Sequence, residues 1–152
     1  AYSAKQRVNA DFLVRIPDKF TSETAMAIGT AGYTSMLAVN AIRDHGVKPA
    51  DGPVLVTGGA GGVGGVAIML LARLGYEVVA STGRPETADY LKSLGAKSTI
   101  ARADLARASK PLEKETWAAC VDSVGSTTLV TALAQMKYNG IVAACGLAGG
   151  FD

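Results

Sequence analysis

The chain reads in two rhythms, with the change at Pro53. From there on, short apolar runs alternate with longer segments that are apolar on one face or nearly all round. Pro53-Val54-Leu55-Val56-Thr57 is a continuous apolar run stopped by glycine, the pattern of a parallel strand buried on both faces. Val63 to Leu74 is apolar nearly all round and runs into Gly75, which predicts a buried helix with a glycine just past its end. Glu77 to Ser81 predicts a second strand. Pro85 to Leu94 predicts a helix, with Pro85 in its first turn, Ala88, Leu91 and Leu94 turned inward and Gly95 ending it. Lys97 to Ala101 is a weaker third strand, and Asp104 to Lys110 a short helix. Trp117 to Ser123 is a fourth strand with Trp117 anchored in the core, Thr127 to Met136 a helix, and Gly140 to Cys145 a fifth strand. This alternation predicts an α/β fold, a doubly wound parallel sheet of the Rossmann type with helices on both faces.

Residues 1–52 follow a different rhythm. Gln6 to Ile16 reads as extended and Pro17 breaks it. Thr21 to Ile28 reads as a helix with Thr21 or Ser22 as its N-cap. Gly29-Thr30-Ala31-Gly32 interrupts, Tyr33 to Asp44 is helical again, and His45 stands at the surface at that helix's end. Gly46, Pro49 and Gly52 mark the loop into the first strand. A full dinucleotide fold uses about six strands, and Gly146 to Asp152 follows the fifth with no closing element. The expectation is therefore a domain truncated after strand five, a piece of a longer polypeptide.

The sharpest chemical signal is Thr57-Gly58-Gly59-Ala60-Gly61-Gly62-Val63-Gly64-Gly65. It holds a Gly-x-Gly-x-x-Gly pattern at Gly59, Gly61 and Gly64, directly after a predicted strand and opening a predicted helix. Gly59 permits the tight turn, Gly61 lets the backbone approach a pyrophosphate, and Gly64 lets helix and strand pack closely. The helix start then offers free N–H groups and the positive end of the dipole to the anion. The plainer reading is a structural glycine turn.

A second signal lies at the end of strand two. Binders of unphosphorylated NAD place Asp or Glu there for the ribose 2′-hydroxyl. This chain has Ala80-Ser81-Thr82-Gly83-Arg84. Two hydroxyls and a guanidinium suit a 2′-phosphate that a carboxylate would repel, which points to NADPH. The plainer reading is an Arg84 pointing into water beside a capping Ser81. Three more segments stand where ligands sit in such sheets: Ser123-Val124-Gly125, Cys145-Gly146-Leu147 and Thr30 to Thr34. As ordinary structure they are turn glycines, a small thiol and a helix break. Cys145 has no histidine partner that would make it a nucleophile.

Composition removes other classes. The chain has 152 residues, 49% hydrophobic and 18% charged, values of one folded domain rather than of disorder. Glycine is the outlier at 18 residues. A net charge of +2 without a basic cluster gives no nucleic-acid surface. Cys120 and Cys145 with one histidine build neither a disulfide framework nor a closed zinc site, and no metal is expected. Without a signal pattern or an apolar run long enough to span a bilayer, a cytoplasmic protein away from membranes is expected. A homo-oligomer using the helix Thr127 to Met136 and strand five is one arrangement, and a monomer reads the same.

Several runs resemble the medium-chain dehydrogenase/reductases. Ala27-Ile28-Gly29-Thr30-Ala31-Gly32-Tyr33-Thr34 is similar to a helix segment of that superfamily, and Ala60-Gly61-Gly62-Val63-Gly64 to the nucleotide loop of its quinone-oxidoreductase branch. Val79 to Arg84, Ala88 to Leu91 with Leu94-Gly95-Ala96, and Val142 to Gly150 resemble the NADPH-dependent acryloyl-CoA reductases. Together these cover essentially the whole chain. The resemblance implies an enzyme of about twice this length, with residues 1–20 a lead-in from a GroES-like domain and residues 21–152 the nucleotide-binding domain. It implies no zinc, and hydride transfer from NADPH to an activated C=C bond of an enoyl thioester or a quinone. It places Ala60 to Val63, with Gly61 and Gly62 between them, at the pyrophosphate, next to Gly59 of the cofactor-binding turn, and Ser81, Thr82 and Arg84 at the 2′-phosphate. Cys145, Gly146, Leu147 and Thr34 border the nicotinamide in the same reading, and Gly125 counts among the cofactor-binding residues. Gly65 departs from the pattern, where serine is usual. No catalytic residue is assigned. The alternative is a non-catalytic NADPH-sensing domain on the same fold. A short-chain dehydrogenase is excluded, because no tyrosine is followed four residues later by lysine, and a P-loop is excluded because no Gly-Lys-Ser/Thr closes the loop.

Overall fold

A computed structural model describes residues 3–150. Ala1 and Tyr2 of the expected lead-in, and Phe151 and Asp152 of the segment after strand five, lie outside the described residues.

Residues 3–21 have no strand and only short local turns, a 3-10 turn at Ala10–Phe12 and a second turn in which the Phe20 N–H donates to Pro17 O at 2.9 Å, and none of their side chains is buried. Helix α1 spans Ser22–Asp44. Thr21 starts it with a capping box: its Oγ1 accepts from the Thr24 N–H at 3.1 Å, and Thr24 Oγ1 accepts from the Thr21 N–H at 2.9 Å. The interruption expected over four residues is confined to Gly29, at φ 49°. Thr30, Ala31 and Gly32 are already helical, because one residue suffices to bend the axis. By length and composition α1 could cross a membrane, whereas the sequence marked Val63 to Leu74 as the longest apolar run. Here α1 packs on the second helix and the sheet through Gly32, Ser35, Ala38, Val39 and Ile42.

The sheet follows: β1 Val54–Val56, β2 Val78–Thr82, β3 Ser98–Ala101, β4 Trp117–Asp122 and β5 Met136–Ala144. Its order is β3-β2-β1-β4-β5 and every pairing is parallel. Helices α2 (Gly62–Arg73), α3 (Ala88–Ser93), α4 (Arg102–Leu105) and α5 (Ser126–Ala134) connect the strands. The side-chain alternation of β1 divides the core. Val54 and Val56 join Ile42, Ile68, Leu71 and Leu91 under α1, α2 and α3. Leu55 joins Leu105, Trp117, Cys120 and Ala132 under α4 and α5. The expected doubly wound α/β architecture is therefore present.

Three boundaries differ from the sequence reading. The helix expected from Pro85 to Leu94 begins as a 3-10 turn, Pro85–Thr87, before α3. The helix expected over Asp104 to Lys110 is the single turn α4, which starts earlier because Asp104 Oδ2 reaches back to the Ala101 N–H at 3.1 Å. Strand five starts at Met136, a residue assigned to the preceding helix. Met136 pairs with Trp117, and Gln135 O accepts from the Trp117 N–H at 3.1 Å, so the chain leaves the helix after Ala134.

The order reverses at β1: the chain goes from β1 to β2 on one side and to β4 on the other. A crevice opens at the carboxyl ends of strands at such a switch point.

Candidate cofactor site

A cleft of about 530 Å³ lies at that place, lined by Gly58, Ala60 and Gly61 after β1, by Ser81 to Arg84 after β2, by Arg102 and Ala106 after β3, by Ser123, Val124 and Ser126 to Thr128 after β4, and by Ala148 and Gly149 after β5. Its only charged lining residues are two arginines, and no carboxylate lines it among the described residues.

The glycine turn is held by backbone contact. Gly59 N–H donates to Ser81 O at 2.9 Å, and Gly61 N–H to Gly58 O at 2.9 Å. A Cβ on Gly64 would stand 2.7 Å from Gly59 Cα and 2.8 Å from the Gly58 carbonyl carbon, so only glycine lets α2 seat so close to the turn. No side chain caps α2, whose first N–H groups have no intrahelical acceptor and open beside the cleft. On the far side, Ala31 of α1 stands against Gly62, where a Cβ would come within 3.1 Å of the Ala31 Cβ. Ser35 Oγ donates to Val63 O at 2.8 Å. Thr34 lies one helical turn beyond Ala31, half-buried.

The end of β2 carries the polar set. Ser81 is buried and lines the cleft. Thr82 lines it too, but its hydroxyl is used locally, accepting from the Arg84 N–H at 3.1 Å and meeting Thr87 Oγ1 at 3.1 Å. Arg84 leans across to the glycine turn, where its Nη2 donates to Ala60 O at 3.4 Å. The strand-two residues and the glycine loop thus face one space.

The turn after β4 is organised by Asp122, fully buried at 0% exposure. Its carboxyl accepts from Thr57 Oγ1 at 2.6 Å and from the Gly125 N–H at 2.8 Å. Ser123 N–H donates to Thr57 Oγ1 at 3.1 Å, which ties the two turns together at the sheet's carboxyl edge. The loop after β5 closes on the same point: Cys145 N–H donates to Asp122 O at 2.8 Å. A Cβ on Gly125 would meet Gly146 O at 3.2 Å and Leu147 Cδ2 at 3.3 Å. Burial, and then the nearby Asp122 carboxyl, push the Cys145 thiol above its ordinary range, which keeps it protonated and a poor nucleophile.

Of the residues named from sequence, Ala60, Gly61, Ser81, Thr82 and Arg84 line the cleft together. Gly59 lies beneath its floor. Gly62, Val63 and Thr34 lie along the α1–α2 contact, and Gly125, Cys145, Gly146 and Leu147 pack behind the β4 and β5 loops. Arg102 and Asp122 escaped the sequence reading. Each had a signal: a cation directly after a predicted strand, and a carboxylate inside an otherwise apolar strand.

A family model described as zinc-binding dehydrogenase matches residues 62–151. No group of three His, Cys, Asp or Glu side chains comes together among the described residues. Acrylyl-CoA reductase AcuI of Ruegeria pomeroyi is 60% identical over 98% of this chain and 46% of its own length. The crystal structure of Escherichia coli K-12 YhdH with bound NADPH superposes with a TM-score of 0.93 at 54% identity, over 96% of this chain and 45% of that one. Bacillus subtilis YhfP, solved with NAD bound, has a TM-score of 0.89 at 44% identity, over 95% of this chain and 44% of that one. The chain thus spans about half the length of the curated relatives it matches. With this fold and these matches, the chain belongs to the zinc-binding dehydrogenase family of the medium-chain dehydrogenase/reductase superfamily, on its acrylyl-CoA-reductase-like branch.

Proposed function

We propose that this chain is the NADPH-binding half of a reductase that transfers hydride to an activated C=C bond. The observation that carries the reading is the cleft itself: a glycine turn and an uncapped helix start on one side, and hydroxyls with arginine, free of any carboxylate, on the other. A dinucleotide carries a pyrophosphate for the first side. The 2′-phosphate of NADPH suits the second, whereas a bare ribose would have no acid to hold it. The NADPH-bound structure of a relative 54% identical to this chain supports that assignment.

The residues present fit the cofactor. The α2 start at Gly62 and Val63 would hold the pyrophosphate with backbone N–H groups. Ser81 and Arg84 would hold the 2′-phosphate, while Thr82 shapes the turn that presents Arg84. Asp122 would keep the β1 and β4 turns in register through Thr57. Thr34 and the Cys145 to Leu147 loop would border the nicotinamide ring. Bound NADPH supplies a hydride to the β-carbon of an enoyl thioester or enone, and a proton completes the α-carbon.

Similarity to AcuI over nearly the whole chain supports acryloyl-CoA or a related enoyl thioester as the substrate. The structure 44% identical from Bacillus subtilis, whose curated counterpart is a putative quinone oxidoreductase, keeps a quinone as the second candidate. Residues 1–20 would then be the lead-in from a GroES-like domain, and residues 21–152 the nucleotide-binding domain. The test is oxidation of NADPH by the complete polypeptide with acryloyl-CoA and, separately, a simple benzoquinone. Faster turnover of acryloyl-CoA supports the reading. Cofactor binding with no turnover of either substrate would contradict the activity and favour a sensing role.

A further inference from the structure

We infer that Asn139-Gly140 is a site of spontaneous modification, where the asparagine converts to isoaspartate, and that His45 holds the site closed. The inference is independent of the cofactor reading.

The site lies at the amino end of the sheet, opposite the cleft. Strand β5 pairs with β4 at Met136 and again from Ile141, so Lys137 to Gly140 form a bulge opposite the single residue Ala118. Asn139 takes the bend at φ 60°, in the left-handed region that asparagine enters more readily than most residues. It is exposed, and its side chain makes no hydrogen bond among the described residues. The chain has three asparagines, and Asn9 and Asn40 are each followed by alanine. Only Asn139 is followed by glycine, and the fold keeps that glycine. A Cβ on Gly140 would stand 3.0 Å from both Ala118 O and Lys137 O. Without a side chain, Gly140 leaves its backbone nitrogen unshielded beside the Asn139 carboxamide.

The chemistry needs only water. The Gly140 nitrogen attacks Asn139 Cγ; the N–Cγ bond forms, the Cγ–Nδ2 bond breaks, and Nδ2 leaves as ammonia with the Gly140 amide proton. Water then opens the cyclic imide. Attack at Cγ restores the ordinary main chain as aspartate. Attack at the Asn139 carbonyl carbon breaks the old peptide bond and routes the main chain through Cγ as isoaspartate. Nothing is oxidised or reduced. The product places a carboxylate at the cavity of about 320 Å³ that His45, Lys137, Asn139 and Gly140 line.

His45, at the end of α1, opposes the first step. Its Nε2 donates to Asn139 O at 3.0 Å; the carbonyl can only accept, so Nε2 carries the proton. In the left-handed region the Gly140 nitrogen points away from the Asn139 side chain, so the peptide plane must turn over before attack. Turning it carries the carbonyl away from His45 and costs that hydrogen bond.

The test incubates the complete polypeptide and its His45→Ala and His45→Gln variants in mildly alkaline buffer for days, with circular dichroism to confirm folding. Electron-transfer fragmentation of the tryptic peptide that starts at Tyr138 separates isoaspartate from aspartate. Isoaspartate is expected at Asn139 and not at Asn9 or Asn40. His45→Ala should form it roughly five- to tenfold faster, the rate equivalent of one hydrogen bond. His45→Gln, whose amide can donate to the same carbonyl, should stay near the parent rate. An unchanged Asn139 in both the parent and His45→Ala would overturn the site. Equal rates in those two would overturn the role of His45, as would acceleration at Asn9 and Asn40 alike, since that marks general loosening.

Discussion

The two walls of the cleft are built by different means. The first wall, from the glycine turn to the β4 turn, is backbone packed on backbone: Gly64 against Gly59, and Gly125 against Gly146. Its one large polar element, Asp122 with Thr57, is buried and holds the turns in place. The second wall, at the ends of β2 and β3, is made of side chains with charge. Arg84 and the Arg107–Glu113 loop behind it rest on hydrogen bonds near solvent. The first wall offers what every dinucleotide shares, and the second offers what separates a phosphorylated ribose from a bare one. Damage to the first wall should therefore cost stability and both cofactors alike. Damage to the second should cost discrimination and leave the fold standing.

The largest effect is expected from Asp122→Ala. It leaves the Thr57 hydroxyl and the Gly125 N–H without their acceptor inside the protein, at about 3 kcal/mol of stability. Urea melts followed by Trp117 fluorescence measure it, and titration of both cofactors should show equal weakening. A variant as stable as the parent would show that the buried carboxyl does not organise this edge.

Gly64→Ala comes next. Its Cβ would press on the Gly59 and Gly58 backbone, which has no rotamer to escape into, and about 2–3 kcal/mol should be lost. NADPH and NADH affinity should fall together. A change in their ratio would break the contrast between the walls.

Arg84→Ala acts on the other side. Its single contact to Ala60 is long at 3.4 Å, so thermal stability should hardly move. NADPH affinity should fall by about 2 kcal/mol, the ordinary worth of hydrogen bonds to a charged group, with NADH nearly unaffected. Equal losses for both cofactors would remove the 2′-phosphate assignment.

The smallest effect is the pH dependence of the loop behind the second wall. The Arg107 guanidinium, with the Gln135 amide, holds the Glu113 carboxyl down to about 2. A carboxyl lowered by folding contributes stability that is complete above its unfolded value near 4.5 and is lost as pH falls from there toward about 2. Gln135 Oε1 accepts from Trp117 Nε1 at 2.9 Å, and its amide donates to Glu113 Oε2 at 2.9 Å, so the lone tryptophan is wired to this pair. A melting series over that range should show the parent losing stability and Glu113→Gln changing less. Parallel curves would show the pair to be inert.

What the sequence made legible follows the same division. The glycine turn could be read because its strand, its glycines and its helix are contiguous, and local patterns carry the whole motif. The Ser81 to Arg84 set was readable because it directly follows a strand. Asp122 and Thr57 are 65 residues apart, and no local pattern joins them. Arg102 became a cleft residue only once the sheet order put β3 beside β2. The start of β5 was misread because Gln135-Met136 continues the helical pattern, and only pairing with β4 decides against it. In the lead-in the apolar pattern predicts little. Phe12 at 83% and Val14 at 91% exposure meet nothing among the described residues that would bury them.

The central claim is that the second wall recognises a phosphorylated ribose. Its most direct test is calorimetric titration of the unaltered chain with NADPH and with NADH under one buffer. The account predicts NADPH tighter by roughly tenfold or more, as one charge-assisted phosphate contact requires. Equal affinities, or a preference for NADH, would contradict it.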